Sequence, residues 1–439
     1  MPNNIAFLPT AVENVVQQGF LAMGIKDALM PLLGWRMLML REQHNGGMMR
    51  QGESATKTRD ALIQPSTDAN SLLGAGGIPT EVSRSVEQWT YQLKSRGNSL
   101  QINLPGSALA QADRFMSDMK ALAFHARHTL NRLARNAIFA AYGGGNAFAP
   151  NSGSSTTTLV VNDATGFDKV VTSGGTEVAV SSTNPGYLSI AGAANVAYTA
   201  VDLTTNTITL SATASWSQYD SVVRSDAPRV IRANSRATDR LIVSGDTATM
   251  AVFREAAAYL RSHNVPGLDG TLTGDFGAFV DSDIENALYA DTEFREAVTG
   301  AGIGGSPEIQ SGMIGRYAGI VFYRQPKSET PIIANASPYQ TTIHKSLVFG
   351  SEICAEMYAP EAVLLADANP ANVISQAHTR IPIDEVITAV IRAPQDPLGR
   401  TLTASWVANV DYSCPTDSKA ITGTQRHKRA VPVHTAGPA

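Results

Sequence analysis

The side chains able to do chemistry are few in this sequence and poorly assembled. His125 and His128 stand three apart, a spacing at which one helix face can offer two imidazoles to zinc. No Glu or Cys stands near as a third ligand, so the pair reads as packing rather than a metal site. Asp281-Ser282-Asp283 and Asp291-Thr292-Glu293 pair acids as calcium loops do, but the twelve-residue ligand pattern of such loops is absent. Helix N-capping accounts for them better. Gly74-Ala75-Gly76-Gly77 and Gly302-Ile303-Gly304-Gly305 lack the Lys-Ser/Thr of a phosphate loop and the strand-to-helix setting of a dinucleotide loop. The Gly-x-Ser-x-Gly frame of a nucleophile elbow does not occur, and no acid/base pair stands out as catalytic. Cys354 and Cys414 have no metal-ligand spacing. No enzyme, metal or cofactor is expected.

Composition narrows the field further. The 439 residues carry a net charge of -4, and only 16% are charged. A chain of this length buries a sizeable core and divides into about two to four modules. Low charge with 36 glycines and many Ala, Thr and Ser leaves much surface suited to contact with other protein. A dedicated nucleic-acid binder would show a basic face. The one basic knot is Arg426-His427-Lys428-Arg429, whose few cations supply only a weak phosphate-binding term and read as a solvated or partner-facing tail. No basic-then-apolar leader opens the sequence, and no run of about eighteen apolar residues could span a membrane. A reduced, intracellular setting is the expectation.

The element that must position everything else is a helix predicted from Ser107 to Tyr142. It holds neither Pro nor Gly and is filled with strong helix formers. Leu109, Ala112, Phe115, Met119, Leu122, Ala126, Leu130, Leu133, Ala137 and Ala141 recur at spacings of three and four, one apolar stripe on a long rod. Ser107 is a fair N-cap and Gly143-Gly144-Gly145 a stop. The flanking strands make it a spine for sheets.

Residues 1–62 mix short helical pieces with punctuation and read as an N-terminal arm that packs on something else. Residues 63–106 form an extended hairpin region: Ser85–Leu93 and Ser99–Leu104 are strand-like, on either side of a turn at Lys94–Asn98. Such a hairpin is marginal alone, so Arg84, Lys94 and Arg96 are candidates for pairing with a neighbour's acids. Phe148–Thr158 reads as linker. Residues 158–232 turn Thr-, Val-, Ser- and Gly-rich, with short strands and regular turns, an inserted all-β domain of barrel or sandwich type. Residues 233–385 read as a central mixed α/β domain, about 386–413 as strands completing the spine-helix domain of 107–145, and 414–439 as a tail.

In this order the elements resemble the major capsid protein of tailed phages, the HK97-like fold. Closer markers lie in the second half. Asp291-Thr292-Glu293-Phe294-Arg295-Glu296-Ala297 and then Gly315-Arg316-Tyr317-Ala318-Gly319-Ile320-Val321 look like the helix and strand pair of one capsid branch. Leu347-Val348-Phe349-Gly350 follows, and later Asp396-Pro397-Leu398 before a strand holding Ser405-Trp406. The resemblance covers nearly the whole chain apart from the insert.

The resemblance implies an α+β HK97-like subunit that self-assembles as hexamers and pentamers into an icosahedral head around double-stranded DNA. Scaffolding, portal and decoration proteins are the implied further partners, and a virion assembled in the bacterial cytoplasm the implied location. Candidate intersubunit residues are Arg84, Trp89, Lys94, Arg96, Asp113 and Asp118. The Thr/Ser/Gly-rich middle also fits a surface adhesin or carbohydrate-binding protein. Against that stand the long helix and the lack of an acidic pair flanking an aromatic cleft.

Overall fold

The structure, a computed structural model, describes residues 34–43, 54–60, 86–103, 113–172, 177–295, 313–334, 341–360, 378–392, 401–415 and 429–437. It is mixed α+β, and its contacts divide it into two compact units.

Unit 1 comprises Met1–Ala55, Tyr91–Ala137 and Cys354–Ser413. Its organising strand is Thr401–Ser413, in which Leu402, Ala404, Trp406 and Ala408 alternate with half-buried positions before Asn409 and Val410 are both buried. Period-two alternation puts one set on a single sheet face. One edge of this strand is taken from Thr401 to Val410 by the antiparallel strand Lys94–Asn103. The other is shared by Ile387–Arg392 and Cys354–Ala359. His378–Pro382 pairs beyond the first of these, and Met39–Gln43 runs parallel to the second. The buried face packs on helix α1 (Asp113–Gly143) through Met119, Leu122, Ala123, Ala126 and Leu130. Tyr412 Oη donates to Leu130 O at 3.0 Å.

The helix differs from its expected stripe. Leu122, Ala126, Leu130, Ala134, Ile138 and Tyr142 are the buried ladder, while Leu133, Ala137 and Ala141 are only half-buried. A step of four residues advances about 40° beyond a full turn, so the buried line winds around the rod. The residues through Leu130 serve the core of unit 1. Tyr142, in unit 2, donates its hydroxyl to Ile353 O. The stop at the glycines is structural: a Cβ on Gly144 would lie 2.3 Å from Ala140 O, and Gly145 has φ +81°, a left-handed conformation glycine adopts without strain. The expected start at Ser107 lies outside the described residues.

Two expectations for residues 1–106 change. Lys94–Asn98 is strand rather than turn, because its backbone pairs with Trp406–Val410. The partner of Val86–Gln92 is therefore Ser54–Asp60, not the strand that follows it. Within the N-terminal arm, Trp35 is 1% exposed and Met39–Gln43 is a sheet strand, because the apolar run finds its partner inside the chain.

Unit 2 comprises Thr56–Thr90, Ile138–Ile353 and Cys414–Ala439. Its seven-stranded sheet runs in the order Ile231–Arg232, Ala430–Ala436, Thr342–Phe349, Phe276–Val280, Ile320–Arg324, Met313–Tyr317, with Ile332–Ala334 also on Thr342–Phe349. Helices α2 (Met250–Ser262) and α3 (Ser282–Ala290) add Phe253, Leu260, Ile284 and Leu288 to a core with Phe276, Phe322, Val431 and Val433. The expected central domain of 233–385 is thus cut short. Residues from Cys354 onward pair in unit 1, and the tail expected at 414–439 supplies a fully buried inner strand, Ala430–Ala436.

Met313–Tyr317 and Ile320–Arg324 are joined by Ala318-Gly319, with φ of 53° and 75°. Two residues at positive φ make a type I′ hairpin, which favours Asn-Gly. Ala318 pays for its left-handed conformation, so Ala318→Asn should stabilise unit 2 by about 0.5–1 kcal/mol, read as a raised urea midpoint.

The region expected as an insert forms an antiparallel sheet, open among the described residues, in the order Asn146–Phe148, Ser221–Arg224, Gly186–Ile190, Ala193–Asp202, Thr207–Trp216, Gly153–Val160. Leu159, Phe167, Leu188, Ile190, Tyr198, Ile208 and Val222 form its own core. It begins earlier than 158, at Asn146–Phe148: the expected linker of Phe148–Thr158 supplies most of the strand Gly153–Val160, whose Ser and Thr side chains tolerate an exposed sheet. Its ends meet, Arg224 N donating to Gly145 O at 2.8 Å. Excising 146–224 and joining Gly145 to Ser225 through about two or three Gly/Ser residues, a gap a short loop closes at little entropic cost, should leave a soluble, cooperatively melting chain. Loss of the cooperative melt would show that the insert is not separable.

Candidate assembly surfaces

The expected site residues fall into four groups. Arg84 lies outside the described residues. Asp113 opens α1 with its side chain outside them, and Asp118 is half-buried on the same helix. Trp89 is 4% exposed with Lys57 Nζ 6.0 Å from its ring centroid, so burial within the chain occupies the ring expected to face a neighbour. Lys94 and Arg96 remain exposed. They stand two apart on Lys94–Asn103, hence on one face of it. Among the described residues, Lys94 and Arg96 are the two of the expected set that are brought together.

That strand is an edge. Its inner side pairs with Thr401–Ser413 without a register break, and among the described residues no strand pairs with its outer side. Six successive residues, Lys94–Ser99, are exposed. An exposed edge offers backbone donors and acceptors to another chain, and lysine on such an edge discourages indiscriminate pairing. The chemistry available is backbone recognition with two cations to select an acidic partner.

The remaining candidate chemistry resolves into structure. Trp406 Nε1 donates to His125 Nδ1 at 3.3 Å, and among the described residues no group of three metal-ligating side chains occurs. Asp281 caps α3, accepting from Asp283 N and Ile284 N at 3.0 and 2.9 Å. Asp291 Oδ2 accepts from Met250 N at 2.7 Å and so caps α2 from a distance. Of the basic knot, Arg429 is described, and its Nη1 lies 2.6 Å from Glu352 Oε2. Gly74–Gly77 and Gly302–Gly305 lie outside the described residues.

Three buried charged clusters escaped the sequence reading. In unit 1, Glu356 has no side-chain exposure and lies 2.5 Å from Arg36 Nε and 3.2 Å from Arg41 Nε. Burial alone would lower the Arg36 pKa, but Glu356 overrides it and raises the value. In unit 2, His344 Nδ1 lies 2.5 Å from Asp281 Oδ2 with both side chains fully buried. Asp239 joins His434, Arg232 and Lys345. No local pattern marks them, because each includes a partner far away in sequence: Arg36 for Glu356, His344 for Asp281 and His434 for Asp239. An acid within an otherwise apolar strand, as Glu356 is in Cys-Ala-Glu-Met-Tyr-Ala, is the one available signal.

No family model matches the chain, and neither does any curated protein. Among solved structures, the capsid of Ralstonia phage GP4 aligns at TM-score 0.49 and 10% identity, over 90% of this chain and 87% of its own. The cyanophage Pam1 capsid aligns at TM-score 0.48 and 14% identity, over 91% and 89%. The mature capsid of bacteriophage PhiM1 aligns at TM-score 0.45 and 9% identity, over 92% and 87%.

Proposed function

We propose that this chain is a major capsid protein of the HK97-like kind, a structural subunit whose activity is self-assembly into the head shell of a tailed phage. One observation carries the reading: the order in which the elements are laid down. A strand pair (Ser54–Asp60 with Val86–Gln92) leads into the edge strand Lys94–Asn103. A 31-residue helix follows, laid on the sheet that the same chain completes with Cys354–Ser413. Between the halves of that domain stands a second α/β core, with a β domain inserted ahead of it. This is the element order on which the sequence resemblance rests; of its motifs, Glu296-Ala297 and Asp396-Pro397-Leu398 lie outside the described residues.

The mechanism is geometric. Copies related by rotation meet through unlike surfaces, and a closed shell results only where the rotation closes. Hexamers and pentamers are the proposed closed rings. The edge strand with Lys94 and Arg96 is the proposed contact that reaches a neighbouring subunit. Scaffolding, portal and decoration proteins, and enclosed double-stranded DNA held by non-specific contact, are the proposed partners; bacterial cytoplasm is the proposed place of assembly. The insert's open sheet is proposed to face outward or brace neighbours.

The test is sedimentation with negative-stain electron microscopy of the chain expressed alone and with its neighbouring gene products. Closed shells, tubes or rings in either sample are expected. A monomer in both overturns the proposal.

A further inference from the structure

The segment 225–249 connects the insert to the central α/β core, and its attachment centres on one carboxylate. Asp239 Oδ1 lies 2.8 Å from His434 Nδ1 and 2.5 Å from Arg232 Nε, and its Oδ2 lies 3.7 Å from Lys345 Nζ. His434 belongs to the buried strand Ala430–Ala436 and is 3% exposed. A carboxylate only accepts, so the imidazole donates from Nδ1. Its Nε2 is buried and has no hydrogen-bond partner. The same segment holds the insert: the Arg240 guanidinium lies 4.7 Å from the Tyr219 ring centroid, and Asn146 Nδ2 donates to Pro228 O at 3.0 Å.

We propose that His434 is an acid-sensitive pin, which holds this connector to the sheet while neutral and releases it when protonated. The step adds one proton at Nε2. The new N–H meets no acceptor, which costs a buried donor its partner, and the new charge stands beside two cations. Asp239 from the Asp239–Leu241 turn, Arg232 from the edge strand and Lys345 from the neighbouring strand are the charged groups around the ring. Burial, with Lys345 and Arg232, pulls its pKa down to about 4 against the upward pull of Asp239. Release restores the ring to water and its ordinary value near 6.5. The pin therefore holds fully above pH about 6.5 and is lost as pH falls toward 4. What opens is the short edge strand Ile231–Arg232 and the turn after it; the remaining sheet stays paired.

Hydrogen exchange of the full chain, corrected for intrinsic rates, tests this. Between pH 8 and pH 5 the opening equilibrium of residues 231–246 should rise about 30-fold, while Phe276–Val280 changes little. His434→Asn keeps a donor toward Asp239 and cannot take the proton, so its connector should show no such rise. Should that variant fail to fold, Lys345→Met, which removes one cation, should weaken the acid response about threefold or more. A wild-type rise under threefold overturns the proposal. So does a response retained in His434→Asn or undiminished in Lys345→Met, or simultaneous opening of all of unit 2.

Discussion

Glu356→Ala lowers the stability of unit 1 by about 3–5 kcal/mol, because it strands a buried guanidinium. The Arg36 side chain is 12% exposed and Glu356 fully enclosed, whereas Arg41 is 41% exposed. The exposed partner contributes little, since water already solvates it. Arg36 is where the cost falls: its backbone N–H is tied to Asn131 Oδ1 at 3.3 Å, and Trp35 beside it is buried. The head group cannot leave without moving that turn. The double variant Arg36→Met with Glu356→Met removes both charges and should recover most of the loss, since a well-packed apolar pair is often neutral against a buried ion pair. Urea unfolding of the three proteins checks this. A single-variant loss below about 1 kcal/mol would mean that Arg36 reaches water despite its packing.

Ending the chain after Pro415 prevents unit 2 from folding. The deletion removes Ala430–Ala436, which pairs at seven positions with Thr342–Phe349 and in parallel with Ile231–Arg232. Val431 and Val433 leave the core, at about 1.5–3 kcal/mol each. The sheet is also split, leaving Thr342–Phe349 with an unpaired buried edge. Together these exceed the few kcal/mol by which a domain is typically stable. Insoluble product or a lost cooperative melt is expected, with partial rescue by a synthetic peptide spanning 429–439. A truncated chain that melts as the full one does would contradict the inner position of this strand.

The truncation exposes the limit of local reading. Ala-Val-Pro-Val-His-Thr-Ala holds a proline and follows a polar, basic run, so by local signals it reads as tail. It is an inner strand because its partners lie some eighty and two hundred residues upstream, and pairing over such distances leaves no mark in a window of a dozen residues. Lys94–Asn98 failed the same way: Gly97-Asn98 signals a turn, yet continuous pairing with Trp406–Val410 holds it extended. Where the signal is periodic burial, reading succeeded. The long helix that ends at the glycines and the β-rich stretch within 158–224 lie where the pattern put them.

Sequence by itself determined the long helix and its glycine stop, the change of character into a β domain, the mixed α+β class, and the capping role of Asp281. These follow from side-chain period, backbone permissiveness and short-range hydrogen bonding, all of which act within a few residues. Only the tertiary structure decided which strands pair, that Trp89 is buried while Lys94 and Arg96 are exposed, and that the helix winds its buried line around the rod. It alone paired Glu356 with Arg36 and His434 with Asp239. Those outcomes depend on which distant segment reaches a surface, and on the cost of burying charge, neither of which a residue's neighbours in sequence record.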